Sequence, residues 1–135
     1  MSTIQTGAVN HIALTVSDVR RAQQFYTELL GFKFVTDYGP RAFLHNGSFL
    51  LALTPPSDPA QAIPGDRFNE NRIGLDHLSL SVNSVADLEA ASRLFDNNGV
   101  PHGEVKPLES FGIAVLAFRD PDNNQIELTA PLKRA

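Results

Sequence analysis

Polar and apolar positions alternate in the same way along two stretches of this chain. The first is Val9-Asn10-His11-Ile12-Ala13-Leu14-Thr15-Val16-Ser17-Asp18. The second, 66 positions later, is Leu75-Asp76-His77-Leu78-Ser79-Leu80-Ser81-Val82-Asn83-Ser84. Side chains alternate across a strand. Val9, His11, Ala13 and Thr15 therefore share one face, opposite Ile12, Leu14 and Val16. Leu75, His77, Ser79 and Ser81 likewise oppose Leu78, Leu80 and Val82. Each stretch predicts a strand with an apolar face to bury and a second face that carries one histidine among small residues, suited to the floor of a site.

After each strand the period changes. Ser17 or Asp18 can cap a helix whose apolar positions are Val19, Ala22, Phe25, Tyr26, Leu29 and Leu30, and Gly31 ends it. Beyond it come a short strand from Phe32 to Thr36, a turn at Tyr38-Gly39-Pro40 and a hairpin from Ala42 to Thr54. The hairpin is centred on Asn46-Gly47, a strong two-residue turn signal. In the second half Ser84 and Asp87 form a capping box for a helix that sets Val85, Leu88, Ala91, Ser92 and Phe95 against the sheet. Gly99 ends that helix, and Gly112 to Thr129 gives two strands around Asp120-Pro121-Asp122-Asn123-Asn124. The order of elements repeats. The chain reads as one α+β domain of two modules, about 8–54 and about 73–131. The connector, residues 55–72, holds Pro55, Pro56, Pro59 and Pro64 and is long enough to act as a lid.

Composition narrows the chemistry more than the class. Hydrophobic content of 42% and charged content of 19% are ordinary for a globular chain. A formal charge of −4 without a basic cluster gives no reason to expect nucleic acid. The absence of cysteine excludes disulfides, thiolate ligands and a cysteine nucleophile, so any metal must be held by nitrogen and oxygen. Residues 1–8 contain no basic n-region and no apolar run, so neither a signal peptide nor a membrane anchor is expected and a cytoplasmic location is the default.

The module ends match as well: Leu51-Ala52-Leu53-Thr54 closes the first and Ile126-Glu127-Leu128-Thr129 the second, so Ala52 and Glu127 are equivalent. A carboxylate between apolar neighbours needs a partner, and the histidines are the natural ones. With His11, His77 and the ending from Asp120 to Leu128, the paired modules resemble the vicinal oxygen chelate superfamily, which includes glyoxalase I, bleomycin-resistance proteins, fosfomycin-resistance enzymes and extradiol dioxygenases. The resemblance spans about Val9 to Thr129. It implies two βαβββ modules whose strands curl into a cup-shaped mixed sheet with helices outside, holding a divalent metal on the first and last strands of each module. Carried over position by position, the ligands are His11, His77 and Glu127, with a methyl group at Ala52 where glyoxalase I-like members have a carboxylate. A second departure is Asn123, where the family more often has glycine. Asparagine tolerates positive φ, so the hairpin is expected to survive.

Two histidines and one carboxylate suit a non-haem iron(II) site with open positions. Fe(II) or Mn(II) is favoured, and Ni(II) or Zn(II) would also accept these ligands. The open positions would admit two adjacent oxygens of a small molecule. Ala13, Ala52, Thr54, Ser79 and Thr129 face the cup as substrate candidates. Ala52 favours oxygenase-like chemistry over glyoxalase I proton shuttling. Two other readings stand beside it: metal-independent binding of an antibiotic or natural product, and a fosfomycin-type thiol transfer. The latter is weakened because Lys106 is the one basic candidate near by. No general base is identified. His45 and His102 read as solvated, Arg119 as a local salt-bridge partner and Tyr26 as core. A small cup of this kind suggests a homodimer, with the site formed within a chain or across two.

Overall fold

The computed structural model describes residues 2–132. The chain divides into two compact units, one ending at Ile63 and one beginning at Pro64, so the division falls inside the proline-rich connector. Each unit holds one βαβββ module.

In the first, β1 (His11–Thr15) runs parallel to β4 (Leu50–Thr54), and β2 (Lys33–Tyr38) and β3 (Arg41–His45) complete an open sheet of order β1-β4-β3-β2. Helix α1 (Val19–Leu30) is capped by Asp18, whose side chain accepts the Arg21 N–H, and it stops at Gly31, which takes the left-handed φ of 72° that favours glycine. The helix lies against β3 and β4. Ala22 and Tyr26 on α1 meet Leu44, Leu51 and Leu53 from the sheet, all fully buried. Phe32 and Phe49 extend this core edge-to-face, with ring centroids 5.8 Å apart. Alternation leaves His11, Ala13 and Thr15 exposed on β1, while Ile12 and Leu14 are half-buried.

The second module repeats the plan with β5 (Leu78–Ser81), α2 (Val85–Asn97), β6 (Lys106–Leu108), β7 (Ile113–Arg119) and β8 (Gln125–Pro131), in the order β5-β8-β7-β6. The expected capping box is present, Ser84 and Asp87 satisfying each other's backbone N–H groups. Leu88 and Phe95 of α2 pack with Leu116, Phe118 and Ile126. Phe95 and Phe118 lie 4.4 Å apart between centroids. Among the described residues no helix is long and apolar enough to cross a membrane.

Several expectations differ from the structure in instructive ways. The β3–β4 hairpin is not closed by two residues, because His45 pairs with Leu50 across a wider loop. Asn46 Oδ1 accepts the N–H groups of Ser48 and Phe49 there, and His45 Nδ1 accepts the Gly47 N–H at 2.8 Å, so His45 is part of the turn and not simply solvated. His77 sits immediately before β5 and not within it. Strand β6 has no signature in the hydrophobic pattern: it is three residues long and contains Pro107, tolerated at a sheet edge where its missing N–H leaves no ladder bond unmade. At the turn after Asp120, Asn123 adopts φ of 70°, as its tolerance for that region allows.

Candidate functional site

Strand β8 is the centre of the site in the second module. Ile126, Leu128 and Ala130 are buried, so Gln125, Glu127 and Thr129 lie on the opposite face. Register supplies their neighbours in rows: Arg119 beside Gln125, then Ala117, Glu127 and Ser79, then Val115, Thr129 and Ser81. Ser79 Oγ and Thr129 Oγ1 are hydrogen-bonded at 2.5 Å, and Thr129 Oγ1 lies 3.5 Å from Glu127 Oε1.

His77 meets this face at its edge. Its Nδ1 is 2.8 Å from Asp76 Oδ1. A carboxylate oxygen accepts only, so the ring donates from Nδ1 and keeps the Nε2 lone pair. That Nε2 lies 3.7 Å from Glu127 Oε1. The separation is too long for a hydrogen bond and shorter than twice a metal–ligand bond of about 2.1 Å. Both donors can reach one ion, and their nitrogen and oxygen chemistry suits a divalent metal. Among the described residues no group of three His, Asp or Glu side chains gathers closely enough to hold an ion. His77 and Glu127 are the part of the expected ligand set that one unit assembles by itself.

His11 stands in the other unit with the same local geometry. Its Nδ1 is 2.8 Å from Asn10 Oδ1, which again leaves Nε2 with its lone pair. The pairing of Ala13 with Ala52 reproduces that of Ser79 with Glu127, which makes Ala52 the register counterpart of the carboxylate. Ala52 is buried, and Thr54 turns its hydroxyl to the Pro55 carbonyl at 3.0 Å. A polar residue stands before each histidine, Asn10 and Asp76, and is the one sequence feature that could have pointed to this arrangement.

Arg119 corrects the expectation of a merely local salt bridge. Its two terminal nitrogens grip Glu70 on the connector, each bond 2.9 Å long. The Arg119 hydrogen bonds hold the Glu70 carboxyl down to about 2, and Glu70 in turn raises the Arg119 pKa. Asn123 Nδ2 donates to the Phe68 carbonyl at 2.9 Å, a bond the family's usual glycine could not make, and the Phe68 N–H donates to Asp122 O. The later part of the connector is therefore fastened to the β7–β8 turn. An open groove of about 580 Å³ runs there, lined by Arg67, Glu70, Pro101 and Arg119 among others, and neither His77 nor Glu127 borders it.

Residues 8–128 match the family model of the Glyoxalase/Bleomycin resistance protein/Dioxygenase superfamily. The chain belongs to this superfamily. This is the vicinal oxygen chelate superfamily, and the duplicated βαβββ module is its fold. Two curated relatives span most of the chain. A metallothiol transferase, FosB, of Staphylococcus saprophyticus is 27% identical over 90% of this chain and 75% of its own. A lactoylglutathione lyase of Escherichia coli is 29% identical over 87% of this chain and 88% of its own. Among solved structures, a glyoxylase/bleomycin resistance protein/dioxygenase domain from Frankia superposes with a TM-score of 0.76 at 28% identity, covering 97% of this chain and 96% of that one. Vicinal oxygen chelate proteins bind small molecules and generally use divalent metals.

Proposed function

We propose that this protein is a divalent-metal-dependent enzyme of the glyoxalase/dioxygenase type, acting on a small molecule that presents two adjacent oxygens. His11, His77 and Glu127 are the ligands, with iron(II) or manganese(II) the favoured ion and nickel(II) or zinc(II) also compatible with nitrogen and oxygen donors. The observation that carries this reading is the 3.7 Å gap between His77 Nε2 and Glu127 Oε1, with the other imidazole nitrogen already held by Asp76. When bound, the metal supplies Lewis acidity to the oxygens of the substrate.

The chain's own residues orient the ligands and the substrate. Asp76 holds the His77 imidazole in the tautomer that can ligate, Asn10 favours the same tautomer at His11 less firmly, and the Ser79 and Thr129 hydroxyls offer hydrogen bonds to substrate or water beside Glu127. Ala52 supplies no proton-shuttling carboxylate, which favours oxygenase-like chemistry over glyoxalase I isomerisation. The similarity to a metallothiol transferase supports a second enzymatic reading, thiol transfer to a chelated substrate. We place the active form as a homodimer in the cytoplasm. The exposed edge strand β2, with Phe34 and Val35 open to solvent, supports a self-association surface.

The test is elemental analysis of protein purified anaerobically without chelator, beside Glu127→Ala. Near-stoichiometric metal in the wild type, with affinity falling at least about 100-fold in the variant, is the expected result; a ligand loss should exceed the 10–100-fold typical of outer partners. Wild-type protein that binds none of the four ions would overturn it and leave metal-free ligand sequestration as the function.

A further inference from the structure

Gln125 faces two opposite charges. Its Nε2 donates to Asp76 Oδ1 at 2.9 Å and lies 3.3 Å from the Asp76 carbonyl oxygen, and its Oε1 accepts from Arg119 Nη2 at 3.4 Å. The Asp76 oxygen that Gln125 reaches is the one that receives His77 Nδ1. Arg119 in turn holds Glu70 through both terminal nitrogens. An unbroken hydrogen-bonded run therefore passes from His77 through Asp76, Gln125 and Arg119 to Glu70, all within the second unit.

The polarity of this run is fixed by its members. A carboxylate accepts and a guanidinium donates, so an amide between them has one favourable orientation. Flipping it would set oxygen against oxygen and N–H against N–H. The lock is needed because the Asp76 side chain is 59% exposed. A lone solvent-exposed pair gains little and rotates freely. A second donor, delivered by the central strand β8, holds the carboxylate in the one position where it can keep the proton on His77 Nδ1.

The first module has no such support. His11 pairs with Leu50, and continuing the β5–β8 register by one residue from Leu78 opposite Ile126 sets His77 opposite Gln125. Leu50 has no donor to offer, so Asn10 holds His11 without help from that position.

We propose that Gln125 is a positioning residue: it locks Asp76, and through it the tautomer and orientation of His77, and the Arg119–Glu70 fork ties that lock to the connector. The tautomer is a property of the metal-free chain. The consequence for metal binding rests on His77 being the ligand proposed above.

The test is two-bond nitrogen–proton NMR of the histidine rings in metal-free protein at about pH 8, where ordinary imidazoles are neutral, combined with zinc titration. Wild type is compared with Gln125→Met, which keeps the volume without the amide, and with Glu70→Gln, which weakens the far anchor. The expected result is a dominant Nδ1–H tautomer at His77 and a more mixed one at His11. Gln125→Met should mix the tautomers at His77, leave His11 unchanged and weaken zinc binding about 10-fold. Glu70→Gln should do the same to a smaller degree. An unchanged His77 tautomer in Gln125→Met would overturn the proposal even if zinc binds normally to both proteins. Should that variant not fold, an unchanged tautomer in Glu70→Gln would overturn it instead. If zinc fails to bind the wild type, the ligand assignment falls while the tautomer still decides the role of Gln125.

Discussion

The two modules share a frame and differ in what they mount on it. The spacing that relates His11 to His77 also relates the helix caps Asp18 and Ser84, so the helices can be compared position by position. Ala22 of α1 then corresponds to Leu88 of α2, and Tyr26 to Ser92. Ala22, Tyr26 and Leu88 are fully buried and Ser92 half-buried. At this pair of positions one module fills the space under its helix from the later turn and the other from the earlier one, with Phe95 adding a further buried ring at the end of α2. Total volume is what the helix–sheet interface demands, and where it sits is free. Chemistry diverges under the same freedom. Ala52 corresponds to Glu127, Leu50 to Gln125 and Asn10 to Asp76, so the second module carries two carboxylates and an amide where the first has a methyl group, a leucine and an amide.

Forcing one module to pack like the other should produce the largest effects. Leu88→Ala gives α2 the small residue of α1 without the compensating tyrosine, and it should cost about 2–5 kcal/mol in urea denaturation. Ala22→Leu crowds a second large side chain beside Tyr26 and should cost about 1–3 kcal/mol. A change under about 0.5 kcal/mol in both would mean that the helices do not pack by matched volumes.

Much of this frame could be read from the chain, because strands, caps and helix stops are local. The repeat set His11 and His77 at equivalent positions, the matching strand ends set Glu127 against Ala52, and alternation gave the face that Ser79 and Thr129 share with Glu127. Groups whose role depends on distant neighbours were not legible. Arg119 looks like a turn residue until Glu70, 49 positions away, is placed beside it. His102 looks like a loop residue until the loop is laid along β7. Strand β6 exists because β7 offers an edge, and three residues around a proline carry no period to detect.

Ala52 sharpens the comparison at the proposed site. Ala52→Glu gives the first module the carboxylate of the second. Ala52 is 6% exposed, so a carboxyl group buried there without a partner should destabilise the metal-free protein by about 1–3 kcal/mol even in its neutral form. Saturating manganese or zinc should recover the loss, since an ion bound only by the folded form stabilises it. Thermal denaturation with and without the ion reads both arms. Destabilisation that no ion repairs would show that position 52 does not address the metal, and would count against His11, its neighbour on the same face, as a ligand.

The smallest expected effect concerns the connection from the helix to the second strand of each module, where the modules differ in length. The first module passes from α1 to β2 through Gly31 and Phe32, whereas the second spends residues 98–105 between α2 and β6. That longer loop is held by backbone bonds to β7, from Gly103 N–H to Ala117 O and from Arg119 N–H to Pro101 O. It is also held by His102, which is 6.0 Å from the Phe95 ring and 15% exposed at the side chain. His102 Nε2 lies 2.6 Å from Asp96 Oδ1 and Nδ1 2.6 Å from Gly103 O. Both partners accept, and a neutral imidazole has one N–H, so the ring satisfies both when it is charged. Asp96 first, and then the Gly103 carbonyl, raise the His102 pKa above the ordinary histidine value of 6.5. A raised folded value sets the sign: the stabilisation is complete below about pH 6.5 and fades as pH rises through that folded value. With Asp96 itself mostly exposed, the loss should be about 1 kcal/mol. Urea denaturation from pH 5.5 to 9 should show this decline in the wild type and a flatter profile in His102→Gln, whose amide does not titrate. The same slope in both proteins would place the pH dependence elsewhere and leave the backbone bonds to β7 as what holds the longer loop.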